Sequence, residues 1–106
     1  MSKNEILDRE YSERFDTIRK KMVETSFYKY GPAIDNFGGG RVDALASAED
    51  CIYAFKRDNN LEHICDAANY LMFRFKYPMP GDHYTPTGSD DSVPPVGTPI
   101  NMEKEY

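Results

Sequence analysis

The stretch Leu61 to Tyr77, LEHICDAANYLMFRFKY, limits what this chain can fold into more than any other. Leu61, Ile64, Ala68, Leu71 and Phe75 recur at spacings of 3, 4, 3 and 4 residues, with Cys65 and Met72 alongside. That period is one broad apolar face of an α-helix. Glu62, Asp66 and Asn69 share a second face. His63, Tyr70 and Arg74 share a third, with Ala67 between them. A helix that is apolar on one side and carries polar rows on the others can pack and also present a site. The period predicts a helix over 60–77 that stops before Pro78.

The neighbouring segments extend the pattern. Residues 42–57 predict another helix, with Val42, Leu45, Ala48, Ile52 and Phe55 as its core stripe. Asp43 and Asp50 lie away from that stripe, and Glu49 lies at its edge. Asp58-Asn59-Asn60 is too short a connection for anything but an antiparallel hairpin. Upstream, residues 3–25 predict one long helix with a stripe of Leu7, Tyr11, Phe15, Ile18 and Met22. Ser2 is placed to cap it and Glu5 to complete a capping box. Acids come early in this helix and Arg19, Lys20 and Lys21 late, which suits the helix dipole. That basic cluster reads as a solvated face.

Residues 26–40 read as a break between helices. Phe27, Tyr28 and Tyr30 lead into Gly31-Pro32, where a short helix can open and run to Phe37. Gly38-Gly39-Gly40 then ends it. The three glycines read as a turn, or as a loop that wraps an anionic group with Arg41 at its end.

Six of the 7 prolines fall in residues 78–106, so this segment is expected to be irregular. Tyr84, Val93, Val96 and Ile100 could anchor it on the helices or on a neighbouring subunit. The expectation is therefore an all-α fold: a helical domain over 1–77 with three main helices and a short one, then a proline-rich tail over 78–106. Three helices of this size cannot bury every apolar row, which predicts a homo-oligomer.

Composition narrows the function classes. A net charge of -5 over 106 residues argues against a general nucleic-acid binder, which needs clustered Lys and Arg to displace counterions. No apolar run is long enough to span a bilayer, and no signal-peptide pattern follows Met1. Cys51 and Cys65 both sit in helical patterns and read as reduced, buried thiols. Together these features predict a cytoplasmic protein without membrane partners.

Two constellations carry candidate chemistry. The first is acidic: Glu49 and Asp50 on one helix of the hairpin, Glu62 and Asp66 on the other. Glu62 and Asp66 stand one turn apart and point the same way. Carboxylates on facing helices supply the hard oxygen ligands that Mg²⁺ needs when it bridges phosphates. The second is aromatic and basic: Arg41, His63, Tyr70, Arg74, Tyr77 and His83. The guanidinium of Arg74 offers a planar fork to phosphate, and the tyrosines offer rings for stacking. With 8 Tyr, no Trp and isolated cations, the chain suits a compact nucleotide-like ligand.

The run Glu62-His63-Ile64-Cys65-Asp66-Ala67-Ala68-Asn69-Tyr70-Leu71 resembles the second motif helix of the all-α nucleotide pyrophosphohydrolases of the MazG type. Glu49-Asp50 then matches the start of that family's first acidic motif. The resemblance implies Mg²⁺ held by Glu49, Asp50, Glu62 and Asp66 on a dimeric helical bundle, and cleavage of a nucleoside triphosphate to monophosphate and pyrophosphate. Two acid positions of the family pattern carry Tyr53 and His63 here. From Asp66 onward, AANYLMFRFKYP and HYTPTGSDDS are similar to small proteins of Gram-positive phages and prophages. Three readings follow. One is a non-enzymatic binder of a nucleotide-like ligand, which in a phage setting implies sequestering a host-defence signal. The second is a Mg²⁺-dependent pyrophosphohydrolase. The third is a protein–protein interaction module acting through the tail. The ligand readings need neighbouring helices to aim polar rows into a common hollow.

Overall fold

The structure, a computed structural model, describes residues 1–86. All of its regular elements are helical: α1 (Lys3–Glu10), α2 (Glu13–Tyr30), a π-helical segment (Ile34–Gly38), α3 (Ala44–Asp58) and α4 (Leu61–Lys76). The all-α expectation holds. Of the expected tail, only residues 78–86 are described; Asp90, Asp91, Val93, Val96 and Ile100 lie outside the described residues.

The expected helix over 3–25 is two helices. The Ser2–Glu5 capping box forms as the spacing predicts, with both reciprocal bonds present. Tyr11, however, is extended, and Ser12 starts a new helix by accepting from the Phe15 amide at 3.1 Å. The Tyr11 hydroxyl donates to Asp16 Oδ2 at 2.7 Å and fixes the break. At the far end α2 runs on to Tyr30, so the aromatic segment read as a break is helical. Gly31, at φ 79, ends it in a backbone region that favours glycine.

The hairpin is built as expected. Asp43 caps α3 through the Ala46 amide, and Asn60 caps α4 through the Glu62 amide. Between them Asn59 takes a left-handed conformation at φ 59, which reverses the chain in two residues. α3 and α4 pack along one another, α2 meets α4 over a shorter stretch, and α1 packs extensively on neither.

The buried face differs from the apolar stripes. The buried hydrophobic residues are Ala44, Ala48, Cys65, Ala67 and Phe73, and buried Asn69 is polar. Leu61 is 68% exposed and Phe75 75%, and Leu45, Ile52 and Leu71 also face outward. Small side chains let two helix backbones approach closely, so the tightest positions went to alanine and cysteine. The larger apolar residues flank that contact. The 3–4 spacing identifies a helix correctly but not which of its rows is covered.

The tightness of the α3–α4 contact is testable. Ala48, 1% exposed, leaves no room for added methylenes. Ala48→Leu should cost about 1–3 kcal/mol in urea unfolding. Tyr28→Ala, at a position 87% exposed, should stay within about 0.5 kcal/mol of the unaltered chain. Equal effects would contradict the packing described.

Candidate functional site

α2 crosses α4 where Asn69 Nδ2 donates to the main-chain carbonyl of Arg19 at 3.1 Å. This bond links residues 50 positions apart. Beyond the crossing, the C-terminal half of α2, the π-helical segment and α4 enclose a cavity of about 290 Å³. That volume lies near the lower end of small-molecule sites. Phe27, Tyr30, Phe37, Tyr70 and Phe73 supply its aromatic wall. Phe37 stacks on Phe73 with ring centroids 4.7 Å apart and meets Tyr70 edge-on at 6.1 Å. The π-helical turn places Phe37 there, and Val42 N–H donating to the Asn36 carbonyl at 2.9 Å ties down the loop behind it.

Asp66, Asn69, Asn36 and Ser26 add polar groups to this wall. Burial pushes the Asp66 carboxyl above its ordinary value, and the nearby charge of Glu62 adds to this while His63 opposes it. Burial likewise raises the Tyr70 phenol. An acid that is half-buried among rings favours a partner that donates hydrogen bonds to it.

Beside the cavity lies a wider groove of about 960 Å³ between α2 and the start of α4. Met22, Ser26, Tyr30, Asp66 and Tyr70 line both spaces. Arg14, Lys21 and Lys29 line the groove from α2, and Glu62 lines it from α4. Cys51 borders it too; burial and the charges of Asp66 and Asp50 raise its thiol, so its nucleophilic thiolate is disfavoured.

The expected ligand set is dispersed. Tyr70 lines the cavity. Arg74 and Tyr77 lie together on a separate hollow of about 310 Å³, beside the glycine loop and the other side of Phe37. Arg74 is engaged by a fork to Asp82, at 2.5 Å from Nε and 3.1 Å from Nη2. Its Nη1 is also 3.9 Å from Asp43. His63 spans the hairpin turn, with Nε2 2.9 Å from Asp58 Oδ2. His83 is exposed, pairs with Thr85 Oγ1 at 3.0 Å, and shares with Arg74 an open hollow of about 760 Å³ bordered by Leu45, Leu71 and Phe75. Arg41 is exposed after the glycine loop, where Gly40 takes φ 75 against Met79.

The expected metal set is also spread out. Glu49, Asp50 and Glu62 are exposed, and Asp66 alone of the four lines the aromatic cavity. Among the described residues, no three of the His, Cys, Asp and Glu side chains gather as a metal site needs. The aromatic hollow lies between α4 and α2. Its residues Asn36, Phe37, Asn69 and Phe73, and the groove's Lys21 and Lys29, lie outside the two predicted constellations. The aromatic density of Phe27, Tyr30 and Phe37 was the available signal. No protein-family model matches the chain, and no curated protein or solved structure is significantly similar to it.

The Arg74–Asp82 fork closes a strap over the end of α4. The Arg74 guanidinium, and then the Met79 N–H that donates to Asp82 Oδ2 at 3.0 Å, hold the Asp82 carboxyl at about 2, against an ordinary 3.8. A carboxyl lowered in the folded state stabilises it above the ordinary value, and that contribution fades as pH falls through the lowered one. The Met79 amide should therefore be protected from hydrogen exchange at pH about 5 and lose protection toward pH about 2. In Asp82→Asn the protection should already be lost at the higher pH. Unchanged protection in the variant would show that the fork does not hold the strap.

Proposed function

We propose that this chain is a non-enzymatic binder of a nucleotide-like ligand. The observation that carries the reading is the adjacency of two unlike spaces. An aromatic hollow holding Asp66 and Tyr70 shares five lining residues with a groove bearing Arg14, Lys21 and Lys29. A flat ring is favoured in the hollow by stacking, and phosphates are favoured over the lysines by charge. The hollow suits one ring system with its sugar. The cavity wall is made of stacking and hydrogen-bonding groups, which suit holding a ligand. Such a protein acts by lowering the free concentration of what it binds. In the phage setting that the C-terminal half resembles, this amounts to sequestering a host-defence nucleotide signal. The outward-facing Leu45, Leu71 and Phe75 fit a homo-oligomer, in which a second copy covers them.

A second reading has its own support. Glu62 and Asp66 border the same groove as the cations, so a Mg²⁺–triphosphate could lie between acids and lysines. Under this reading the chain is a Mg²⁺-dependent pyrophosphohydrolase.

A thermal-shift panel of linear and cyclic nucleotides tests the first reading. A ligand at a hundred times its Kd adds about 2.7 kcal/mol, which raises the melting temperature of a small domain by several degrees. Tyr70→Ala should weaken the binding by about 1–3 kcal/mol through lost stacking. A flat response across the panel removes the reading. Phosphate or pyrophosphate release with Mg²⁺, abolished in Asp66→Ala, would replace it with the second.

A further inference from the structure

Helix α1 has little of its own chain to pack against. Both bonds of its capping box are made, yet none of its 8 residues is buried. Ile6 and Leu7, neighbours on one side of it, are 46% and 49% exposed. A helix this short is marginal in water by itself, because few hydrogen bonds offset the cost of starting it. Its stability has to come from packing. The extended backbone at Tyr11 and the Tyr11–Asp16 bond meanwhile fix the bend between α1 and α2.

The groove between α2 and the start of α4 has the opposite shortage. Phe15 and Ile18 from α2, with Leu61 and Ile64 from α4, line it without bordering the aromatic cavity. They supply apolar lining toward the N-terminal ends of both helices, and Leu61 is left exposed there. An eight-residue helix is roughly 12 Å long and 10 Å across, or roughly 900 Å³. The groove, at about 960 Å³, is of that size. The charges are opposite in sign: α1 carries one more acid than base, and α2 two more bases than acids. Arg14 of α2 stands on the groove itself.

Within one chain α1 does not fill this groove, since none of its residues is buried. Ser12, where the arm joins α2, nevertheless lines it. A two-fold axis beside that root would bring each arm onto the other copy's groove, a closed and self-complementary contact. We infer that two copies of this chain pair by exchanging α1, with Ile6 and Leu7 of each arm seated against Phe15, Ile18, Leu61 and Ile64 of the other. The pairing stands apart from the nucleotide reading. Lys29 lies 11 residues past Ile18, roughly 16 Å along α2, so a docked arm leaves that end of the groove open.

Sedimentation velocity of the full chain over a dilution series tests it, with Phe75→Asp introduced so that the separate apolar face of α4 cannot bring copies together. This chain should sediment as a pair, at twice the 12.2 kDa of one copy. Adding Ile6→Asp and Leu7→Asp removes the arm's apolar contacts and should weaken pairing roughly a hundredfold or more. Leu61→Asp, on the receiving side, should weaken it independently. All four sites are exposed in the single chain, so the helical circular dichroism of α2 to α4 should stay as it is. In a mixture of isotope-labelled and unlabelled chains, filtered nuclear Overhauser effects should join the Ile6 and Leu7 methyls to the Phe15 ring of the other copy. A single-copy mass at every dilution would overturn the exchange. So would a pair untouched by the arm substitutions or by Leu61→Asp. Effects that arise only within one chain would overturn it as well, by placing the arm in its own groove.

Discussion

A single long-range hydrogen bond, from buried Asn69 on α4 to the Arg19 carbonyl on α2, sets the geometry on which the rest of the molecule depends. Its energy is modest, roughly 1 kcal/mol for a neutral pair, but leaving a buried amide unpaired would cost more. It therefore defines where α2 may cross α4. Beyond that crossing α2 carries Met22, Ser26, Phe27 and Tyr30 along one side of the hollow. The stack of Phe37 on Phe73 fixes the other side, and Gly31 makes the reversal between the two possible. Remove the crossing and the α2 side of the hollow loses its defined place against α4.

The same amide also sets the chemistry of the hollow. One of its two N–H groups is committed to the Arg19 carbonyl, which leaves its oxygen and its second N–H for other partners. Asp66, one turn earlier on α4, adds a carboxylate, and the cations stay outside in the groove. An acidic chain thus keeps its cations to a groove beside an aromatic hollow that holds one carboxylate. Arg74, the most obvious phosphate ligand by residue type, does not take part. Its fork is filled by Asp82, so it acts as a structural fastener for the strap after α4.

Much of the fold was legible because it is fixed by local chemistry. The Ser2–Glu5 capping box, the short Asn59-Asn60 reversal and the stop before Pro78 each rest on a few adjacent residues. The break at Tyr11-Ser12 was hidden because the apolar stripe of Leu7, Tyr11 and Phe15 runs straight through it. Ser12 three residues before Phe15 was the local sign, and the Tyr11–Asp16 bond that secures it spans five positions. The buried rows depart from the apolar stripes for a different reason. Periodicity weighs large apolar residues most, whereas the close hairpin contact selected Ala48 and Ala67. Of the candidate site, Tyr70 and Asp66 stand on α4, where helical spacing relates them. Asn36, Phe37 and Lys29 come from segments whose approach to α4 depends on the Asn69 crossing, and no spacing in the sequence encodes that.

The central claim is that the hollow between α2 and α4 receives a base among its rings. Intermolecular nuclear Overhauser effects in the isotope-labelled full chain, with a saturating nucleotide, report this directly. The account predicts effects from the base and ribose H1′ protons to the rings of Phe37, Tyr70 and Phe73. Effects confined to Tyr84, His83 and Phe75, on the strap side of α4, would contradict it.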